Sequence, residues 1–255
     1  MNGLVKDKLV SVIIPTFNSD KFIKETLDSA LSQTYPFMEI IIVDDCSSDS
    51  TQKIVGQYLQ KYSNIKYKRL IHNSGAAVAR NRGLESATGR FIAFLDSDDV
   101  WYPHKLEIQL KLMKQDSAPI CFTAIEMIDE NGRLIKGKRH VKQKVDYKFL
   151  LKNTMIATST VVIDRKITGE FRMPLRRSGQ DYATWLCLTR NGHVAHGINT
   201  PLVKYRKGKN TLSSKKIRNI KKVYQIQTMN EGIDPFNAIY NSLWYALNAF
   251  KKHFL

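Results

Sequence analysis

Three stretches of this chain are almost unbroken apolar runs: Val10-Ser11-Val12-Ile13-Ile14, Ile40-Ile41-Ile42-Val43 and Phe91-Ile92-Ala93-Phe94-Leu95. Short runs rich in branched and aromatic residues, bounded by polar or turn residues, read as strands buried on both faces. Such strands belong to a mostly parallel sheet, because crossover helices on each face remove both sides of a strand from water. The segments between them carry those helices. Phe22, Ile23, Leu27, Ala30 and Leu31 fall at helical spacing before Pro36, with Ser19 or Asp20 as the cap. Ser50 or Thr51 opens a helix bearing Ile54, Val55, Tyr58 and Leu59, and Ile65 to Ile71 is a further strand. The Asn73-Ser74-Gly75 turn leads into a helix from Ala76 to Thr88, and Pro103 sits near the start of a helix running through Leu112. The fold class is α/β.

Beyond that point the order loosens. Pro119 to Met127 reads as a strand, Asn131-Gly132 as a tight hairpin turn, and Ile156 to Ile163 as another strand. Asp181 to Arg190 is helical and closed by Asn191-Gly192. At the end, Phe236, Ile239, Tyr240, Leu243, Trp244, Leu247 and Phe250 share one helical stripe, with Lys251 and Lys252 behind it. A chain of 255 residues accommodates one generous α/β domain with a small appendage. No apolar stretch approaches the roughly 18 residues of a membrane span. Met1 to Lys8 are short and charged, unlike a signal peptide. Cys46, Cys121 and Cys187 lack metal-type spacing and fit free thiols in a reducing cytoplasm.

The formal net charge of +17 calls for an acidic partner: nucleic acid, an anionic membrane or a phosphorylated ligand. The excess gathers late in the chain. One cluster is Arg133, Lys136, Lys138, Arg139, Lys142 and Lys144; the other runs from Lys204, Arg206, Lys207 and Lys209 to Lys215, Lys216, Arg218, Lys221 and Lys222.

Acidic groups mark the candidate chemistry. Leu95 runs straight into Asp96-Ser97-Asp98-Asp99, and the second strand ends in Asp44-Asp45. Open α/β sheets place ligands at the carboxyl ends of their strands. Carboxylates crowded there repel one another unless a cation lies between them, and hard oxygen ligands suit Mg²⁺ or Mn²⁺ shared with a phosphate. Asp44-Asp45 can read a uracil N3–H or a ribose hydroxyl, or serve as a helix cap and turn. Arg80, Asn81 and Arg82 open a helix and favour an acidic group, or make ordinary surface salt bridges. In Gly179-Gln180-Asp181 the carboxylate is a helix cap or a general base. G-x-G-x-x-G after a strand, G-x-x-x-x-G-K-[ST], G-x-S-x-G and H-E-x-x-H are all absent from the sequence. A metal-dependent nucleotidyltransferase and a basic nucleic-acid-binding protein are the competing classes; an acid-lined cleft argues against the second.

Four elements in order resemble the family-two glycosyltransferases of the bacterial cell envelope, whose catalytic domain has the GT-A fold. They are Val10 to Asn18 with its Pro15-Thr16-Phe17-Asn18 turn; Ile42-Val43-Asp44-Asp45-Cys46-Ser47-Ser48-Asp49; Asn73-Ser74-Gly75 with Ala79-Arg80-Asn81 and Gly83; and Leu95-Asp96-Ser97-Asp98-Asp99. The resemblance covers about residues 9 to 210. It implies a GT-A domain over residues 1–214, with a nucleotide-binding half near 9–100 and an acceptor half near 101–214. Residues 215–255 would form a basic helical extension. It implies an inverting, Mn²⁺- or Mg²⁺-dependent transfer from a nucleotide-sugar, by default a UDP-sugar, to a hydroxyl of a lipid diphosphate-linked or growing surface polysaccharide. Pro15, Phe17, Asn18, Asp44, Asp45, Arg80, Asp96 and Ser97 would bind the nucleotide, Asp98 supported by Asp96 the metal, and Asp181 would be the base. Many members carry Glu-Asp where this chain has Gln180-Asp181. Trp101, Gln180, Arg206 and Lys209 would belong to the acceptor side or to a flap over the diphosphate. Nucleic acid would not be a partner; the anionic inner face of the plasma membrane would be, giving a cytoplasmic, peripheral enzyme.

Overall fold

The computed structural model describes residues 7–207 and 213–254. Strand and helix alternate first: β1 (Val10–Thr16), α1 (Ile23–Leu31), β2 (Met38–Asp44), α2 (Thr51–Leu59), β3 (Ile65–Arg69), α3 (Ala76–Ser86) and β4 (Phe91–Phe94). Next come β5 (Val100–Trp101), α4 (Lys105–Asp116), β6 (Ile120–Ile128), β7 (Leu134–Arg139), β8 (Lys144–Val145) and α5 (Tyr147–Leu151). A 3-10 turn at Thr158–Thr160 precedes β9 (Val162–Asp164), α6 (Arg165–Thr168), α7 (Gln180–Arg190), β10 (Ala195–Arg206), α8 (Ser213–Met229) and α9 (Pro235–Phe254).

The apolar runs behave as their composition dictates. Along β1, Val10, Val12 and Ile14 join one core while Ile13 joins the other; along β4, Ala93 and Ile92 divide likewise. The first core is closed by Ile23 and Leu27 of α1, Val55 of α2 and Leu106 of α4. The second is closed by Leu84 of α3, Trp185 and Leu186 of α7 and Ile226 of α8. Both faces are therefore covered. The sheet runs β3-β2-β1-β4-β9-β6-β10-β5. The first four strands are parallel. β9 then enters antiparallel to β4 and β6, and β10 runs parallel to β6. The result is a parallel half joined to a mixed half.

Several local features depart from the sequence reading. α1 has no side-chain cap. The Ser19 carbonyl accepts from the Phe22 and Ile23 amides, while the Ser19 hydroxyl meets the Ser97 hydroxyl at 2.7 Å. Of the strand expected over Ile156 to Ile163, Thr158–Thr160 form a 3-10 turn, with the Thr160 hydroxyl donating to the Ala157 carbonyl at 2.6 Å, and the strand begins at Val162. β3 stops at Arg69, and Ile71 stands in solvent. The hairpin at Asn131-Gly132 is wider than a two-residue turn, closed by the Asp129 amide on the Arg133 carbonyl at 2.8 Å.

α9 turns Ala238, Asn241 and Ser242 inward, and the Asn241 amide donates to Gln227 of α8 at 3.0 Å. Its other face leaves Phe236, Ile239, Tyr240, Leu243, Trp244 and Leu247 exposed. No helix among the described residues is long and apolar enough to cross a membrane.

One buried charge is conspicuous. Lys105 at the start of α4 is fully enclosed, its amine 2.7 Å from Gln109 Oε1 and 4.0 Å from the Trp101 ring centroid. Burial pulls its pKa down to about 7. The folded state thus releases a proton near pH 7 that the unfolded chain keeps until about pH 10.4. Between those values the unfolded chain binds more protons, so this group makes stability rise with pH, by about 1.4 kcal/mol per unit at most. Lys105→Met should flatten the stability–pH curve across that window relative to the parent, as read by urea unfolding at several pH values. An unchanged slope difference would show that the amine titrates normally.

Candidate active site

Register brings three strand ends to one edge. Thr16 pairs with Asp44, the Asp45 amide donates to the Thr16 carbonyl at 2.8 Å, and the Leu95 amide donates to the Ile13 carbonyl at 3.0 Å. The loops after β1, β2 and β4 leave side by side at the carboxyl edge, where such sheets open a crevice. They are stitched together. The Asn18 amide donates to Ser47 Oγ at 2.9 Å, Ser48 returns its amide to Asn18 Oδ1 at 2.9 Å, and the Ser19 amide donates to Thr51 Oγ1 at 2.8 Å. Asn18 and Cys46 sit in the left-handed region, at φ 47° and 66°. Asn tolerates that conformation, whereas Cys46 holds it at a cost of about 1–3 kcal/mol that the surrounding bonds must offset.

α3 is seated by its own sequence. A Cβ on Gly83 would lie 2.4 Å from Ile13 Cγ2, so only glycine lets the helix approach β1 this closely. Asn81 makes paired bonds with the Met173 backbone, at 2.9 and 2.8 Å. Both oxygens of Asp45 accept backbone amides at the helix entrance, from Ser74 and Gly75 at 2.7 Å each. Arg80 is thereby held over the sheet edge, buried, with Nη2 2.5 Å from Asp96 Oδ1.

Two cavities meet at that ion pair. One, of about 370 Å³, is lined by Phe17, Asn18, Asp45, Arg80, Asp96 and Asp98, with Pro15 and Ser97 also on its wall. The other, of about 530 Å³, contains Asp181, Gln180, Tyr205 and Arg139, and again Arg80 and Asp96. Phe17 is 47 % exposed and offers a free ring face to the first cavity. In the second, the Thr158 hydroxyl donates to Asp181 Oδ2 at 3.3 Å, and Asp181 lies in the first turn of α7 behind an N-cap glycine rather than acting as the cap.

The acids have unequal surroundings. Asp99 is fully buried and structural: it accepts from Ser159 Oγ at 2.5 Å and from the Arg206 amide at 2.9 Å. Burial, then Asp96 and Asp98, drive its pKa well up. Asp98 is pushed up to about 6 by burial and by the charge of Asp96. For Arg80, burial opposes the charge, but Asp96 first and Asp181 and Asp99 after it more than restore it. Its Nε and Nη1 are buried without a protein partner, two donors left for an anion.

The structure thus brings Asp45, Asp98 and Asp181 to adjoining cavities, and Pro15, Phe17, Asn18, Arg80, Asp96, Ser97 and Gln180 with them. Three expected site residues lie elsewhere. Asp44 is fully buried beneath the edge, bonded by the Ser47 amide at 2.8 Å and the Tyr67 hydroxyl at 2.7 Å. Trp101 is in the core, its indole donating to the Ser159 carbonyl at 2.8 Å. Arg206 is no surface flap: it is buried at the end of β10, with Nη2 2.5 Å from Glu25 and other donors on the Asp98, Asp129 and Glu130 carbonyls. β10 is long enough to carry Arg206 back under the acidic turn, which local sequence does not reveal. Lys209 lies outside the described residues. Thr158, Ser159 and Arg139 were not singled out as site residues; only the density of hydroxyls in Thr158-Ser159-Thr160 hinted at more than a strand.

A parallel sheet extended by a mixed half, with an acid-lined crevice at its carboxyl edge, is the layout expected of a GT-A glycosyltransferase domain. Similarity to known proteins agrees. The family model for "Glycosyl transferase family 2" matches residues 11–176. A putative teichuronic acid biosynthesis glycosyltransferase, TuaG of Bacillus subtilis (strain 168), is 43 % identical over 96 % of this chain and 97 % of its own. WfgD of Escherichia coli, a UDP-Glc:α-D-GlcNAc-diphosphoundecaprenol β-1,3-glucosyltransferase, is 36 % identical over 97 % of this chain and 96 % of its own. The chain therefore belongs to glycosyl transferase family 2 and is a glycosyltransferase. Among solved structures, Staphylococcus aureus TarS 1–349 in complex with UDP superposes with TM-score 0.70 at 22 % identity, over 95 % of this chain and 72 % of that one. The mannosyltransferase PcManGT of Pyrobaculum calidifontis, with GDP-Man and Mn²⁺, gives 0.67 at 20 % identity, over 93 % and 69 %.

The residues at the acidic turn fit a divalent cation. Among the described residues no cationic side chain pairs with the Asp98 carboxylate, and it is desolvated beside a second acid. Among the described residues no three His, Cys, Asp or Glu side chains converge there, so a bound cation would need ligand oxygens as well.

Arg80→Ala should strip Asp96 of its partner. The partial exposure of Asp96 keeps the loss of stability below the ~3–5 kcal/mol of a fully buried pair. UDP should raise the melting temperature of the parent and shift that of this variant far less. An equal shift would remove Arg80 from nucleotide binding.

Proposed function

We propose that this glycosyltransferase moves a sugar from a nucleotide-sugar, most simply a UDP-sugar, to a hydroxyl of a lipid diphosphate-linked saccharide, with inversion at the anomeric carbon. The observation that carries the reading is the wall shared by the two cavities: Arg80 and Asp96 border both. The smaller one suits the donor. Phe17 packs on the base, and Asp45, whose oxygens keep lone pairs beyond the Ser74 and Gly75 amides, accepts its N3–H. Arg80 offers Nε and Nη1 to the diphosphate. Asp98 would hold the divalent ion, Mn²⁺ or Mg²⁺, with Asp96 as its neighbour. When bound, that ion supplies charge neutralisation for the departing nucleotide.

The larger cavity suits the acceptor. Thr158 orients Asp181, which takes the proton from the acceptor hydroxyl as its oxygen attacks the anomeric carbon. The bond from that carbon to the diphosphate breaks, and the electron pair leaves with the nucleotide. Gln180, buried with its Oε1 unpartnered, contributes an acceptor for a sugar hydroxyl. The names of the relatives, one acting on a diphosphoundecaprenol-linked sugar, support a lipid-linked acceptor of surface polysaccharide synthesis.

A lipid-linked acceptor also gives the outward stripe of α9 a place to go. Leu243, Trp244 and Leu247 would enter the interfacial layer of the inner membrane face from the cytoplasm, while the late basic clusters add about 1 kcal/mol per residue at an anionic surface. Because Leu243 and Leu247 are exposed, Leu243→Ser/Leu247→Ser should leave the fold intact and lower sedimentation with phosphatidylglycerol-containing liposomes by about tenfold. Undiminished sedimentation would take α9 out of membrane binding.

Incubating the full chain with Mn²⁺, a panel of nucleotide-sugars and lipid-linked acceptors, and assaying released nucleotide, tests the reaction itself. Asp181→Asn should retain donor binding and lose about 10²–10⁴-fold in turnover. Asp98→Ala or a chelator should abolish transfer. Full activity of Asp181→Asn would reject the base, and activity undiminished in chelator would reject the ion. A product that keeps the nucleotide's phosphate would mark nucleotidyl transfer instead.

A further inference from the structure

Beside the larger cavity lies a second, unassigned pocket of about 400 Å³ whose wall carries five cations, Arg176, Arg177, Arg218, Lys221 and Lys222, and no carboxylate. It adjoins the larger cavity: Arg177, Ser178 and Lys222 line both. Surface lysines and arginines are ordinarily interspersed with acids. Here the cations lack them: among the described residues the side chains of Arg177, Arg218 and Lys221 have no hydrogen-bond or ion-pair partner. Arg176 uses Nη1 on Asn230 at 2.9 Å, but its Nε is buried and unpartnered. Lys222 reaches only Asn219, at 3.2 Å. Burial pulls the Lys222 amine down from its ordinary value; Asp181 opposes that, and Arg218 and Arg176 add to it. Like charges held this close repel, and a bound anion is what relieves them.

The backbone keeps them together. Gly179 has φ +77°, and a Cβ there would lie 2.8 Å from both Lys222 Cδ and Ile226 Cδ1. The loop carrying Arg176 and Arg177 therefore rests directly on α8, beside Lys222. The same loop runs on into Asp181 at the start of α7.

We infer that this basic pocket is a phosphate subsite, holding the phosphate or diphosphate attached to the acceptor saccharide while the saccharide occupies the cavity that contains Asp181. The inference rests on the acceptor reading proposed above and adds the recognition element. Guanidinium groups with free N–H donors suit phosphate oxygens, and charge-assisted bonds of this kind are the strong ones. The same chemistry is offered by anionic lipid headgroups, so the test must separate the two sources.

Inorganic pyrophosphate is the probe, titrated calorimetrically into the full chain in chelator. The Arg177→Gln/Arg218→Gln/Lys222→Gln variant should lose one class of pyrophosphate binding by about tenfold or more while keeping its affinity for UDP. Arg80→Ala should keep that class, because the donor cradle is a separate site. Arg177→Lys should hold most of the affinity. Should the triple variant misfold, Arg177→Gln alone, at an exposed and unpartnered side chain, should still weaken binding severalfold. Arg177→Gln, outside the two late basic clusters, should sediment with phosphatidylglycerol liposomes like the parent, whereas the triple variant, which removes two of those clusters' charges, should lose some sedimentation along with its pyrophosphate binding. Unchanged pyrophosphate affinity in the variants overturns the inference, as does loss of liposome binding without loss of pyrophosphate binding, which would assign the cations to headgroups. Pyrophosphate binding that vanishes in the triple variant, together with no sugar transfer in the donor screen, would reject the reaction and leave the phosphate subsite standing.

Discussion

The ion pair between Arg80 and Asp96 is the constraint around which the active edge is arranged. Asp96, Asp98 and Asp99 follow one another at the end of a strand, and three carboxylates so close in a desolvated place cannot all remain ionised without help. The fold helps each differently. Asp96 takes the guanidinium. Asp99 is withdrawn into the interior, satisfied by the Ser159 hydroxyl and the Arg206 amide. Among the described residues the Asp98 carboxylate takes neither a cation nor a hydroxyl, and the site proposed for a metal is the one left unneutralised. Remove Arg80 and this division of labour has no anchor.

Much of the surrounding structure exists to hold that arrangement still. Thr26 donates to the carbonyls of both Ser97 and Asp99, at 3.0 and 2.9 Å, tying the acidic turn to α1. Arg206 reaches back from the last strand to the Asp98 carbonyl at 2.8 Å. Glycine at 83 lets α3 settle on β1, and Asp45 fixes the loop that starts it. Side chains bonded to backbone across loops, more than buried apolar area, set the geometry here.

The sequence made the parallel half and its acidic edge legible because both obey short-range rules: apolar runs mark buried strands, and the residue after such a run stands at the sheet's edge. Asp45, Asp98, Phe17 and Arg80 lie where that logic expects. The failures share a different origin. Asp44 and Asp45 are adjacent in sequence yet one is beneath the edge and the other in the cavity, a distinction of strand phase that no motif carries. Trp101 and Arg206 are expected on the acceptor side or in a flap only through the family resemblance, and the structure uses them in the interior. Thr158 and Ser159 were read as strand residues because β-branched and hydroxyl types occur in both settings. Their contacts with Asp181 and Asp99 span more than twenty residues, so no local pattern announces them.

The two cavities have one wall in common, and that has a thermodynamic corollary. A ligand in either chamber that competes for the free nitrogens of Arg80, or for the oxygens of Asp96, alters the field felt by whatever occupies the other. Linkage then requires symmetry: the factor by which the first guest changes affinity for the second equals the factor in the opposite direction. Any mutual assistance between two such guests would run through how one guanidinium shares its donors.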